Sequence, residues 1–300
     1  MVSSASFSDS VQSSQTPSAL QSSMASLYQE VTSTSEASSI YGPVHSWRVG
    51  WSLGVDLLLT SSICSFNCVY CQLGDIQTKT QERKIYVPTN KIERDLRISD
   101  WEKADIITLS GNGEPTLALN LEEVIAMIKE YTQGKKVMVL TNATMLHLPE
   151  VRRSLRLADI VACKLDAATE TVLQRMNRPV AGITLERILS GIEAFRAEYT
   201  GTLALQCMFM PTNLEDYQGI ATLAKRLRPD EIQLNTPKRP YPLTWVVDNR
   251  GNHTEIAYTE TRQLRTVDEL TAEHIEHALK ESFETSDTCP KLHSIYSKSS

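Results

Sequence analysis

Cys64, Cys68 and Cys71 stand in one C-x3-C-x2-C run, Cys64-Ser-Phe-Asn-Cys68-Val-Tyr-Cys71, directly after an apolar stretch. Three thiolates this close together can wrap one face of a small metal cluster. Zinc knuckles use C-x2-C pairs and four ligands, which this spacing does not supply. A fully ligated [4Fe–4S] cluster takes four cysteines, and no fourth lies nearby. Three cysteines on such a cubane leave one iron without a protein ligand. An open coordination position is where chemistry takes place in catalytic metal sites.

The other cysteines, Cys163, Cys207 and Cys289, are scattered. The first two lie in apolar, strand-like stretches, where Cys is a small buried hydrophobe and not a ligand. This usage points to a reducing compartment and a metal site, not a disulfide framework. A formal charge of −6 excludes the strongly basic surface of a dedicated nucleic-acid binder, though not a local basic patch. No apolar run approaches the 18 or so residues of a membrane span, so no membrane partner is expected.

The elements that must position the cysteines come after a Ser-, Thr- and Gln-rich start. Residues 1 to about 40 are expected to be a disordered tail, because they carry too few large apolar residues to offset the entropy of ordering. They contain no Lys or Arg, the first in the chain being Arg48, which fits neither a secretory signal nor an organelle transit peptide. A cytoplasmic location is the expectation.

From Trp47 strands alternate with helices. Val55-Asp-Leu-Leu-Leu-Thr60, Ile106–Ser110, Val137–Thr141, Ile160–Leu165, Leu203–Met210 and Glu231–Asn235 read as six strands. Between them, helical periodicity places Ile92 and Leu96 on one buried face, then Leu121, Val124, Ile125 and Ile128. It does the same for Leu185, Ile188, Leu189, Ile192 and Phe195, and for Tyr217, Ile220, Ala221 and Ala224. Asn120 with Glu123, Thr184 and Asn213 are the expected helix caps. Such alternation implies right-handed βαβ units and a parallel sheet. Six units fall short of a closed eight-fold barrel, and no seventh strand of equal quality is visible. An α/β fold with an open (β/α)6 partial barrel over residues 47–240 is therefore expected. Residues 241–300 form an extension with a last helix capped at Thr266 and carrying Leu270, Ile275, Leu279 and Phe283.

In parallel α/β folds, sites collect at the carboxyl ends of the strands. The cysteine run follows the first strand, Gly111-Asn-Gly113-Glu114 the second, Asn142 the third and Asp166 the fourth. Lys164, from strand periodicity, is expected to face away towards helices or solvent. Lys238 and Arg239 follow the sixth strand in a Pro-rich turn, read either as a solvated loop or as an anion-binding substrate loop.

Ser-x-Cys64…Cys68-x-Tyr70-Cys71-Gln-Leu-Gly74, with Ser110-Gly-Asn-Gly-Glu-Pro-Thr116, resembles the radical S-adenosylmethionine (SAM) superfamily. It looks closest to the branch that includes the wyosine-forming tRNA enzymes. The resemblance covers residues 47 to 240 and implies the same open partial barrel. It implies a [4Fe–4S] cluster on Cys64, Cys68 and Cys71, with SAM chelating the open iron. The residues placed around that cofactor are Tyr70, Gly113, Glu114, Asn142 and Asp166, the Gly-Glu pair resembling the superfamily's element for the SAM amino group. Reductive cleavage of SAM to methionine and a 5′-deoxyadenosyl radical is the implied reaction, fed by a low-potential donor such as flavodoxin or ferredoxin. Two departures stand out: Asn112 separates the glycines, and no cysteine precedes Cys64, where wyosine-forming enzymes carry a second set. The substrate stays open between tRNA and a small molecule. An activase, and an Fe–S electron-transfer or binding protein that leaves SAM intact, are the other readings.

Overall fold

The structure is a computed structural model and describes residues 1, 37–251, 260–283 and 289–295. The expected disordered tail lies almost wholly at residues 2–36, outside the described residues. From Ser38 onward the chain is one compact unit.

Its centre is an eight-stranded sheet. The strands are β1 (Ile40–Ser46), β2 (Gly50–Val55), β3 (Ile106–Leu109), β4 (Val137–Thr141), β5 (Ile160–Lys164), β6 (Thr202–Met208), β7 (Glu231–Asn235) and β8 (Lys291–Ser294). They lie side by side in chain order, antiparallel between β1 and β2 and parallel thereafter. The crossovers carry α1 (Thr89–Arg97), α2 (Leu121–Tyr131), α3 (Pro149–Leu155), α4 (Glu170–Met176), α5 (Leu185–Glu198), α6 (Tyr217–Leu227) and α7 (Glu269–Phe283). The sheet curls into the open half-barrel expected from six βα units.

The strand sequences explain the burial. Val137, Val139, Val161, Cys163, Leu203, Leu205 and Ile232 have no exposed surface, as near-continuous apolar strands covered on both faces require. Ile106, Met138, Ala162 and Ala204 form a separate apolar cluster on the alternate positions. Three helices present the expected stripe: Ile92 and Leu96 on α1, Leu121, Val124, Ile125 and Ile128 on α2, and Leu185, Ile188, Leu189, Ile192 and Phe195 on α5; on α6 Ile220, Ala221 and Ala224 are buried but Tyr217 is only half-buried. Each such Leu or Ile adds roughly 1.5–3 kcal/mol of burial free energy. Thr184 caps α5 by accepting the Arg187 N–H at 3.2 Å.

Several local expectations are corrected. The first strand ends at Val55 instead of starting there, because the Asp56 carboxylate takes the N–H groups of Leu58 and Leu59 and turns the chain. Asn120 forms no capping box; its amide donates to the Val87 carbonyl and Thr89 hydroxyl across the α1–α2 gap. A single turn at Leu214–Asp216 separates Asn213 from α6, and Asn213 is spent on Met210 and on the Asp166 and Met208 carbonyls. Asp268, not Thr266, accepts the Thr271 N–H at the start of α7, and Leu270 is 78% exposed while Ala272 takes the inward place. The sheet also gains two strands. β1 opens it ahead of residue 47, and β8 returns from the expected extension to pair with β7. Among the described residues no helix is long and apolar enough to cross a membrane.

Candidate functional site

The cysteine loop leaves the sheet after β2 and is pinned at its start to the loop after β3. Ile63 donates its N–H to the Asn112 carbonyl at 2.8 Å, and Glu114 donates to the Ile63 carbonyl at 3.0 Å. This exchange is possible because Gly113 has no side chain. A Cβ there would run into the Ile63 carbonyl and Leu58, and its φ of +145° is one that L residues rarely adopt. Further along, Cys71 N–H closes a turn on the Cys68 carbonyl at 3.1 Å. Asn67 ties the loop's two ends, donating to Asp75 and accepting from Ile76.

The second wall comes from α4 and the residues after it. Asn67 and Val69 donate their N–H groups to the carbonyls of Asn177 and Met176 at 2.8 and 2.9 Å, and Val180 donates to Ser65 at 2.9 Å. The cysteine loop therefore lies between two backbone supports, the glycine loop on one side and residues 176–180 on the other.

Each predicted site residue reaches this mouth. Glu114 is buried, and its carboxylate accepts from Thr116 N–H (3.1 Å), Thr116 Oγ1 (2.6 Å), Thr141 Oγ1 (2.6 Å) and Asn142 N–H (2.6 Å). All four donors belong to the chain, so this side chain knots the loop after β3 to the end of β4. Burial pushes its carboxyl up, and those four donors pull it back. Asn142 in turn directs its amide at Ser65 Oγ (2.9 Å) and Cys64 Sγ (3.5 Å). On the other side, Tyr70 donates its hydroxyl to Asp166, whose second oxygen accepts the Met208 N–H at 2.8 Å. Burial, then the Asp166 charge, raise the Tyr70 hydroxyl well above its ordinary value.

Lys164 is corrected: it faces the site. Its Nζ lies 3.8 Å from Asp166 Oδ2 and 5.0 Å from the Tyr70 ring centre. Residues two apart on an extended chain share a face, and Asp166 continues the line of β5. Asn177 went unread in the sequence. Its amide nitrogen reaches Asp166 Oδ2 at 2.7 Å, Tyr70 Oη at 3.2 Å and Cys68 Sγ at 3.4 Å. The signal available was only an Asn ending a short helix, Glu170–Met176, that the apolar periodicity did not reveal.

The three thiols sit partly exposed at the centre of this mouth. Burial raises all of them; Cys64 is raised further by Glu114 and Cys68, and Cys71 by Cys68, to about 12. Cys68 is pushed up by burial and then Asp166, against the pull of Lys164 and Asn177. Among the described residues no three His, Cys, Asp or Glu side chains converge closely enough for a single metal ion. Cys163 and Cys207 are buried in β5 and β6.

Comparison with known proteins gives the same architecture. A UPF0026 protein, slr1464, of Synechocystis sp. is 47% identical over 241 residues, covering 79% of this chain and 90% of that protein. Streptococcus suis SuiB bound to S-adenosylmethionine superposes with a TM-score of 0.55 at 14% identity, over 78% of this chain and 48% of that one. TYW1 with a lysine-pyruvate adduct bound gives 0.52 at 14% identity, over 77% and 73%. At those identities the likeness to both structures is one of fold. The family model described as the radical SAM superfamily matches residues 58–224, from just before the cysteine run into α6. That span is more than half of the sequence and holds every residue just placed around the thiols, and on it the chain belongs to the radical SAM superfamily.

Proposed function

We propose that the protein is a radical SAM enzyme in which Cys64, Cys68 and Cys71 hold one [4Fe–4S] cluster and SAM binds beside it, at the glycine loop. The observation that carries this reading is the donor set itself. Three soft thiolates converge, two of them facing an asparagine amide, with no fourth cysteine among the site residues. When bound, the cluster and SAM together supply reductive cleavage of the sulfonium and a 5′-deoxyadenosyl radical that takes hydrogen from a substrate.

The chain's own residues hold and orient. Gly113 brings bare backbone to the mouth, where an ammonium can meet main-chain carbonyls. Glu114 acts on that backbone from behind, keeping the glycine loop and Asn142 in register. Tyr70 and Asp166 close the opposite wall, and Lys164 offsets the Asp166 charge there. Reduction calls for a low-potential one-electron donor of the flavodoxin or ferredoxin class, and tRNA and small molecules are the substrate classes this reading carries.

Anaerobic reconstitution with iron and sulfide tests the assignment. Wild type is expected to take up about four irons, and a variant with Cys64, Cys68 and Cys71 all changed to Ala to take up none. A full cluster in that variant, or loss of the cluster from a folded variant in which Cys163, Cys207 and Cys289 are changed to Ala instead, overturns it.

A further inference from the structure

Asn177 is 1% exposed, belongs to no expected motif, and touches both a cysteine sulfur and the Tyr70–Asp166 pair. We propose that Asn177 sets the reduction potential of the cluster by donating an amide N–H to the Cys68 sulfur. This rests on the reading above that Cys68 is a cluster ligand.

An amide nitrogen has two hydrogens. The shorter contact, 2.7 Å, gives one of them to Asp166 Oδ2. The second points between Cys68 Sγ at 3.4 Å and Tyr70 Oη at 3.2 Å. Tyr70 spends its own proton on Asp166, so its oxygen is an acceptor too. The carboxylate thus fixes the amide's orientation, and no rotation can turn the carbonyl side of Asn177 to the sulfur without facing oxygen to Asp166. The second N–H is thus shared between the Cys68 sulfur and the Tyr70 oxygen, and Asp166 keeps the donor side of the amide turned to both.

One-electron reduction of the cluster adds one negative charge and changes no bond or proton. The added charge spreads onto the sulfurs, and a donor aimed at one of them stabilises the reduced form more than the oxidised form. Removing it shifts the potential to more negative values. The neighbouring Asp166 would push the same way once the amide no longer stands between its charge and the sulfur. Cys64 receives the weaker counterpart, Asn142 at 3.5 Å, whose nitrogen is nearer Ser65.

Asn177→Leu removes the donor while keeping the same number and branching of side-chain heavy atoms. The backbone bonds from Asn67 and Val69 to the carbonyls of Asn177 and Met176 remain, so the loop keeps its support. Wild type and variant are reconstituted with iron and sulfide, their iron is counted, and the reduced cluster is followed by electron paramagnetic resonance in a dithionite-poised redox titration. The expected result is equal iron and a lower midpoint in the variant. At a fixed solution potential the reduced-to-oxidised ratio falls about tenfold, equivalent to about 59 mV for one electron. Equal iron with an unchanged or higher midpoint overturns the proposal. If Asn177→Leu loses iron, Asn177→Ser is measured in its place; loss of iron from both makes Asn177 a structural tie and overturns tuning. A wild type that takes up no cluster overturns the cofactor assignment itself, a failure visible without either variant.

Discussion

Glu114 and Asn142 are joined by a 2.6 Å hydrogen bond from the backbone N–H of the second to a carboxylate oxygen of the first, across the ends of β3 and β4. The other oxygen of Glu114 accepts a second backbone N–H, from Thr116. Glu114→Gln therefore has no good orientation: either way its NH2 group faces a main-chain donor. A buried donor left without an acceptor costs about 1–3 kcal/mol, so the variant is expected to unfold at correspondingly lower urea. Unchanged stability would mean that the knot is not formed.

Asp56 is the second anchor of the same loop. Arg250 Nη1 lies 2.9 Å from its carboxylate, with side chains 5% and 1% exposed, and Asn112 donates to the same oxygen at 2.7 Å. The residue that separates the two glycines thus has a structural partner, and Trp245 Nε1 donates to its side-chain oxygen, Oδ1, at 3.2 Å. Arg250→Met leaves a buried carboxylate without its cation and is expected to cost about 3–5 kcal/mol. A loss below 1 kcal/mol in chemical denaturation would contradict a buried, paired Asp56.

Asp95 ties the entry of β1 to α1. Burial pushes its carboxyl up, but Ser39 donates both its N–H and its hydroxyl at 2.7 Å and Lys91 lies at 2.9 Å, leaving it below its ordinary value. A carboxylate whose folded pKa lies below an unfolded value of about 3.9 stabilises the fold above that pH. That stability is lost as pH falls through the folded value. Asp95→Asn is thus expected to melt below wild type at pH 7, and the gap to close as pH drops from about 5 towards 2. A gap independent of pH would place the effect in packing instead.

The cysteine run and the polar strand ends were legible because they depend on local spacing and on one rule about parallel sheets. Five of the six βα strands were legible because their buried faces leave continuous apolar runs. What escaped depends on contacts between distant segments. Asp56 ends β2 inside an apolar run that by itself looks like strand. β8 is four residues long and pairs with a strand some sixty positions earlier. Lys164 turns inward because Asp166 and Tyr70 await it there. Asn177 has no motif at all; only the docking of the cysteine loop on the end of α4 brings its amide to Cys68.

The central claim is that this mouth cleaves SAM. The measurement is 5′-deoxyadenosine yield from the reconstituted protein with SAM and dithionite, paired with the electron paramagnetic resonance spectrum of the reduced cluster before and after SAM. The expected result is a changed spectrum and measurable 5′-deoxyadenosine in wild type, with neither in the variant lacking Cys64, Cys68 and Cys71. A wild-type protein that carries its cluster, yet gives no 5′-deoxyadenosine and an unchanged spectrum, would contradict the claim and leave an electron-transfer protein in its place.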